Sequence, residues 1–433
     1  MPDTDVAPAR PTSQQSPRSR RTAWTVTGLL VLFMMVNFAD KSVLGLAADP
    51  IRRDLGLSAT AFGLANSAFF LLFSVCAAVV GLLADRVRPR RLLLGMALLW
   101  SVAQLPLALG GGIAMLLTSR IVLGAAEGPA FPVAQHTALS WFPDRRRNFP
   151  GALITAGTTL GVVVAAPGLT WVMDQYGWRS AFGVVAAAGA LWAAAWAALG
   201  REAAGPAAGP DAEPDAPAPA AEEAASYRSI LRTRTWIGAT AAYFSTYWCA
   251  ALALVWLPSY LHDGLGYSTG TAATLIALVW AVNSVALLGQ AALTGWLQRR
   301  GAGSRWARAR VGGITLIVSA LACLALPLPG RGPVTVLLLV TGFGLCGVMG
   351  SIAVTSIAEL APGRRRGGAL GLMNAVVTTA GLIAPALTGY LVDAQGAAGY
   401  QRAVVLAGSL LLLGGTAAVV LIDPARDARR LGR

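Results

Sequence analysis

"WTVTGLLVLFMMVNFADKSVLGLA" (Trp24–Ala47) is apolar almost throughout, yet it sets Asp40 beside Lys41 before the apolar residues resume. A helix needs about 20 residues at roughly 1.5 Å each to cross the ~30 Å hydrocarbon core of a bilayer, and this run is long enough. Lys41 is the only lysine in the chain; every other basic residue is arginine. A lone lysine next to a carboxylate, inside such a segment, needs a reason.

The surroundings repeat the pattern. The chain has 433 residues, 55% hydrophobic and 12% charged, with mean hydropathy +0.61. A soluble domain carries about twice that charged fraction. Twelve apolar runs are expected to span, near 24–47, 60–84, 91–110, 114–139, 149–173, 180–199, 236–260, 270–297, 308–328, 334–358, 368–392 and 402–422. The first is too long for the apolar core of a cleaved signal peptide. The sequence therefore predicts an all-α membrane protein with the lipid bilayer as its solvent.

The net charge of +14 would suggest nucleic acid in a soluble protein, but its placement argues otherwise. With loops assigned alternately, 27 of the 34 basic residues fall on the side of the termini and 5 on the other. The remaining two, Lys41 and Arg120, lie inside spans. The positive-inside rule then puts both termini in the cytoplasm, as expected of an inner (plasma) membrane protein. The four cysteines lie singly in apolar spans, with no metal-ligand or disulfide spacing.

Residues 201–235 open with "REAAGPAAGPDAEPDAPAPAAEEAAS", an Ala/Pro/acidic stretch that reads as a disordered linker. It divides two six-span bundles, 24–200 and 236–422, flanked by tails 1–23, expected to be disordered, and 423–433. The halves echo each other. "GLLADRVRPRR" (81–91) follows span 2 and "GWLQRRGAGSR" (295–305) follows span 8; "PGLT" (167–170) and "PALT" (385–388) sit in spans 5 and 11. Duplicated six-helix units are the sequence sign of a transporter whose site lies between two rocking halves.

"GLLADRVRPRR" resembles the loop signature of the major facilitator superfamily. The resemblance implies two pseudo-symmetric six-helix bundles. It also implies a conformational latch at Gly81, Asp85 and Arg86, where glycine permits close helix contact and the carboxylate pairs with arginines at helix ends. Arginines that only set topology are the simpler alternative.

Setting aside loop and terminal charges, four remain in the hydrocarbon region: Asp40, Lys41, Arg120 and Glu127. Each costs roughly 2.5–3.5 kcal/mol on insertion scales, so they should be paired with one another or line water. Arg120 and Glu127 are seven residues apart, about two helical turns, and so share a face roughly 10 Å apart. The same arithmetic on span 1, which runs the other way, brings Lys41 to the depth of Arg120. One reading is an ion-pair set that fixes the packing of helices 1 and 4. The other is proton-coupled anion binding: protonating Asp40 and Glu127, which burial favours, frees two cations for a substrate carboxylate.

"SRIVLGAAEGPAFPVAQHTALSWFPDRRR" (119–147) is similar to helix 4 of the anion:cation symporter family within that superfamily, matching at Arg120, Gly124, Glu127, Phe131, Pro132, Trp141, Phe142 and Pro143. "NFADK" (37–41), "GWRSAF" (178–183), "WLPSYL" (256–261) and "GLMNAVVTTAG" (371–381) also match. The resemblance implies uptake of sugar acids, aromatic carboxylates or other organic anions with protons. Asp40 and Glu127 would carry the protons; Lys41 and Arg120 would hold the anion. Lys41 replaces an arginine of the family, Phe38 and Phe73 replace tyrosines, and Thr158 replaces a glutamine, so fewer hydrogen bonds to substrate hydroxyls are expected. Asn374 could bind a substrate oxygen or bridge helices. Tyr247, near Tyr243 and Trp248, could wall the site or simply pack.

Nothing in the sequence suggests catalysis, a cofactor other than protons, or a resident metal. The expected protein is a monomeric secondary transporter importing a small organic anion. A proton-antiporting exporter of drugs or metabolites on the same fold is the alternative, and a non-transporting sensor a more distant one.

Overall fold

The computed structural model describes residues 17–83, 87–142, 148–202, 226–361 and 363–431. Among the described residues, twelve helices are long and apolar enough to cross a membrane. In the first half they are α1 (Arg21–Leu46), α2 (Ala59–Ala77), α3 (Pro89–Ala108), α4 (Ile113–Leu139), α5 (Phe149–Tyr176) and α6 (Trp178–Leu199). In the second they are α7 (Arg234–Val255), α8 (Thr269–Arg299), α9 (Arg305–Ala325), α10 (Pro333–Leu360), α11 (Arg365–Gln395) and α12 (Ala397–Leu421). The chain is a multi-pass membrane protein. Its even number of spans puts both described ends on one face, here the terminal face, opposite the far face.

Helical structure extends beyond the expected spans. The helix containing α1 starts at Pro17, where proline suits the first turn and Arg18, Arg20 and Arg21 are good helix formers, so 17–23 is not irregular tail. Within 201–235, Tyr227–Leu231 is a short helix capped by the Ser226 side chain, which accepts from the Ser229 amide. Pro424–Arg430 is a helix in place of a tail, capped by Asp423. It is clamped to the start of α7: the buried Asp427 carboxylate accepts from the Thr235 amide at 2.8 Å and from Arg426 Nε at 2.8 Å. Most of the acidic linker lies outside the described residues.

Two helices break at matching places in the halves. α4 is interrupted at Gly128–Pro129, between Ile113–Glu127 and Ala130–Leu139. Pro129 and Pro132 have no N–H to give the carbonyls one turn back, so backbone acceptors are freed beside Glu127. α10 tightens into a short turn at Cys346–Val348. Half-helix ends near a midplane are where transporters build their sites.

Among the described residues, the hydrogen bonds and ring contacts joining the halves run from the midplane to the far face. At the midplane, Ser284 of α8 bonds Thr159 of α5, Phe38 meets Trp280 at 6.5 Å, and Phe70 meets Tyr247 at 6.0 Å. Toward the far face Phe62 packs on Trp256. Asp393, near the end of α11, accepts from the first amides of α2, Ala59 at 2.8 Å and Thr60 at 2.7 Å. Gly63 of α2 and Gly389 of α11 let these two helices touch by backbone, since a Cβ at either would overlap the Pro385 or Ala59 carbonyl. The halves are thus zipped at the far face.

Candidate functional site

The four charges converge in the first half. Asp40 and Lys41 are adjacent on α1, so their side chains diverge by about 100° around the axis and reach different partners. Lys41 Nζ lies 3.2 Å from Glu127 Oε2, and Arg120 Nη2 lies 4.0 Å from Asp40 Oδ1. Both pairs therefore cross from α1 to α4, and together they are neutral. Asp40, Arg120 and Glu127 are buried, whereas the Lys41 side chain keeps 14% exposure and is the cation nearest to solvent.

Two polar residues that the sequence reading did not single out complete the cluster. Gln104 of α3 is fully buried, donates to Asp40 Oδ1, and accepts from Arg120 Nη2 at 3.5 Å. Asn37, one turn before Lys41, accepts from its ammonium at 2.7 Å. A single glutamine inside an otherwise apolar span was the available signal for Gln104. Asn37 stood in the "NFADK" match but carried no assigned role.

The network is incompletely satisfied. Asp40 Oδ2, Glu127 Oε1, Arg120 Nε and Asn37 Nδ2 are buried without a hydrogen-bond partner. Buried polar atoms are nearly always paired, so unpaired ones gathered in one place point to a proton, water or ligand as the missing partner. The Asp40–Arg120 separation is also too long for a hydrogen bond, which leaves both groups able to take another.

Aromatic rings form the rest of the lining. Lys41 Nζ sits 4.5 Å from the Phe38 ring centroid and 5.5 Å from that of Phe73. Phe70, also not singled out from sequence, packs between Phe73, at a tilt, and Tyr247 of the second half, edge-on. Thr158 is present but turns its hydroxyl to its own helix, donating to the Thr155 carbonyl at 2.6 Å; its neighbour Thr159 makes the contact across the halves. Asn374 is half-buried on α11. Asn283 holds the α10 break instead, donating to the Gly344 carbonyl at 3.1 Å. Of the latch residues, Gly81 continues the helix of α2, which runs to Leu83, while Asp85 and Arg86 lie outside the described residues. Just beyond the second copy of that loop, at the start of α9, Arg308 pairs with Glu359 at 2.9 Å on the terminal face.

Two six-helix halves around a buried polar cluster define a polytopic membrane protein of the transporter type. The chain belongs to the Major Facilitator Superfamily, whose profile matches residues 30–306 and 301–432. It is 26% identical over 409 residues to a probable sulfoacetate transporter of Cupriavidus necator, covering 93% of this chain and 94% of that one. It is 28% identical to the hexuronate transporter of Bacillus subtilis, over 92% and 94% of the two chains. A probable L-galactonate transporter of Escherichia coli is also 28% identical, over 96% and 93%. Among solved structures, a bacterial homologue of the human lysosomal transporter Spinster aligns with TM-score 0.74 at 18% identity, over 95% and 98% of the chains. A D-xylose-proton symporter aligns with TM-score 0.71 at 14% identity, over 93% and 99%. At those identities the structural likeness speaks for the fold.

Proposed function

We propose that this protein is a secondary transporter that takes up a small organic anion together with protons by alternating access. The observation that carries this reading is the paired but unsatisfied cluster of Asp40, Lys41, Arg120 and Glu127. With both carboxylates ionised the cations are internally neutralised, and an anion has no unpaired charge to meet. Proton binding to Asp40 and Glu127 releases Arg120 and Lys41, and the substrate anion takes their place. Loss of the protons on the other side restores the internal pairs and expels the anion. Lys41, the most accessible of the four, is the first cation the anion meets.

The arginine-rich terminal face is read as cytoplasmic and the membrane as the inner (plasma) membrane. With the halves joined at the far face, the described conformation is the one in which substrate exits inward. The chain is proposed to act as a monomer, with protons as the only coupling ion. The relatives are named as a hexuronate transporter and as probable transporters of sulfoacetate and L-galactonate, and the common chemistry of those names is a small anion. Phe38 and Phe73 on Lys41, and a Thr158 hydroxyl spent on backbone, supply few partners for hydroxyls. Among carboxylates and sulfonates, the sparsely hydroxylated ones, aromatic acids included, therefore suit this site better than polyhydroxylated sugar acids.

A thermal-shift panel on purified protein at acidic and neutral pH tests the class, with hexonates, aromatic carboxylates, dicarboxylates, sulfonates, neutral sugars and lipophilic cations. Stabilisation by one anion class, stronger at acidic pH, is expected. Stabilisation by cations or neutral lipophiles alone would overturn the reading. In proteoliposomes, Asp40→Asn should lose pH-driven uptake of the stabilising anion, by at least tenfold, and keep its exchange. Unimpaired pH-driven uptake in that variant would remove Asp40 from the coupling role.

A further inference from the structure

At the far face, three residues from both halves bring metal-ligand atoms together. Asp49 lies in the short helix Ala48–Asp54 that links α1 to α2. His262 and Asp263 lie in a π-helical turn, Tyr260–Gly264, shortly after α7. Their donor atoms all fall within 4.8 Å of one another. His262 Nδ1 is 2.8 Å from Asp263 Oδ1 and 3.7 Å from Asp49 Oδ2. A tetrahedral ion with bonds of about 2.0–2.2 Å holds its donors roughly 3.3–3.5 Å apart, and the two separations straddle that value. One imidazole and two carboxylates form a donor set that suits zinc and its neighbours in the first transition row.

The surroundings support a held ion rather than a loose acidic patch. Ser259 donates to Asp49 Oδ1 at 3.0 Å and so fixes that carboxylate from behind, in the manner of an outer-shell group. Tyr400, 3% exposed, packs its ring 6.4 Å from that of Tyr260 and sets its hydroxyl against Ser259, the residue that holds Asp49. His262 and Asp263 are open to solvent, with side-chain exposures of 43% and 41%, which provides an entry path. Of the two neighbouring arginines, Arg52 directs its guanidinium over the Trp256 ring, and Arg53 Nε donates to the Asp49 backbone carbonyl at 3.3 Å.

We propose that Asp49, His262 and Asp263 form a divalent transition-metal site that bridges the two halves and, when occupied, holds the far face closed. Asp49 moves with the first half, and His262 and Asp263 with the second, so any opening of the far face must pull the donors apart. Bound metal therefore stabilises the conformation described here at the expense of the one open to the far side, and acts as a brake on the cycle. Alkaline-earth ions, which favour more oxygen ligands, are poor occupants of a site with one nitrogen and two carboxylates.

The test uses tag-free, detergent-purified protein titrated with zinc chloride, with magnesium chloride as the comparison. Zinc should bind at one ion per chain in equilibrium dialysis and raise the melting temperature saturably by several degrees; magnesium should not. His262→Ala and Asp49→Asn should each weaken zinc binding at least tenfold, while His136→Ala, which alters the chain's other histidine, should not. Absence of zinc binding to the wild type, or full binding by His262→Ala, overturns the site. Full binding by Asp49→Asn overturns the bridge between halves. Should either variant melt early without zinc, His262→Gln and Asp49→Ser give the same readings. None of these measurements requires the transported anion to be known.

Discussion

The two halves share an architecture and divide the chemistry. The first half holds four charged side chains within its helices, drawn into one cluster between α1 and α4 with Gln104 of α3. In the second half, the described charges of the spans stand at helix ends, such as Glu359 at the terminal face and Asp393 at the far face. Its contribution to the centre is Trp280, Tyr247 and the break in α10 held by Asn283. Its buried interior includes Cys249, Cys323 and Cys346, small apolar side chains in a packed core. Burying charge is expensive, and a duplicated fold that concentrates it in one half leaves the other free to serve as a moving wall. In the proposed cycle, coupling falls to the first half and gating to the surfaces where the halves meet.

Breaking the cluster should have the largest effect. Arg120→Ala leaves Asp40 buried without its paired cation, still bonded to Gln104 and beside Glu127 and Lys41, and losing one member of a buried pair costs about 3–5 kcal/mol. The expected result is a large fall in melting temperature, partly recovered in the double variant Arg120→Ala/Asp40→Asn, with uptake at background in both. Equal stability of Arg120→Ala and wild type would mean that the pair is not energetically coupled.

Next comes a separation of binding from coupling. Glu127→Gln releases Lys41 permanently, so anion affinity at neutral pH should rise several-fold toward its acidic value, while pH-driven accumulation collapses. Trp280→Ala, in the second half, should raise KM several-fold and leave the number of protons per anion unchanged. A changed proton ratio in Trp280→Ala would break the division of labour between the halves.

The smallest effect concerns the Asp427 clamp on α7. Burial pushes the Asp427 carboxyl up, but hydrogen bonds from Arg426 and Thr235 outweigh it and hold the group below the usual carboxylate range. A carboxyl lowered on folding stabilises the protein above its unfolded pKa, about 3.9, and loses that contribution as pH falls through the folded value. Asp427→Asn should therefore cost about 1–2 kcal/mol at neutral pH, and the difference from wild type should shrink as pH is taken below 4. A gap that grows with acid would reverse the assignment.

Much of this protein was written along the chain. The run of apolar segments required helices that satisfy their own backbone in lipid, and the arginine asymmetry predicted their orientation. Asp40, Lys41, Arg120 and Glu127 stood out because charge in a hydrocarbon run has no solvent to lean on. The helical period was enough to expect them to meet, and they do. Helix ends were less legible: the helix containing α1 reaches back at least to Pro17, and Pro424–Arg430 is helical because the Asp423 cap and the docking of Asp427 onto α7, not hydropathy, start and hold its turns.

Other features were decided only by tertiary structure. Gln104 and Asn37 are ordinary polar residues until packing aims them at Asp40 and Lys41, and Phe70 is one phenylalanine among several until Tyr247 meets it from the other half. In the Asp49–His262–Asp263 constellation only His262 and Asp263 are neighbours along the chain, and Asp49 joins them from the other half, which no helical period predicts. Sequence periodicity reports which residues of one helix share a face. Which faces then oppose each other depends on the packing of twelve helices, and the pairing of charges and the closing of the far face follow from that.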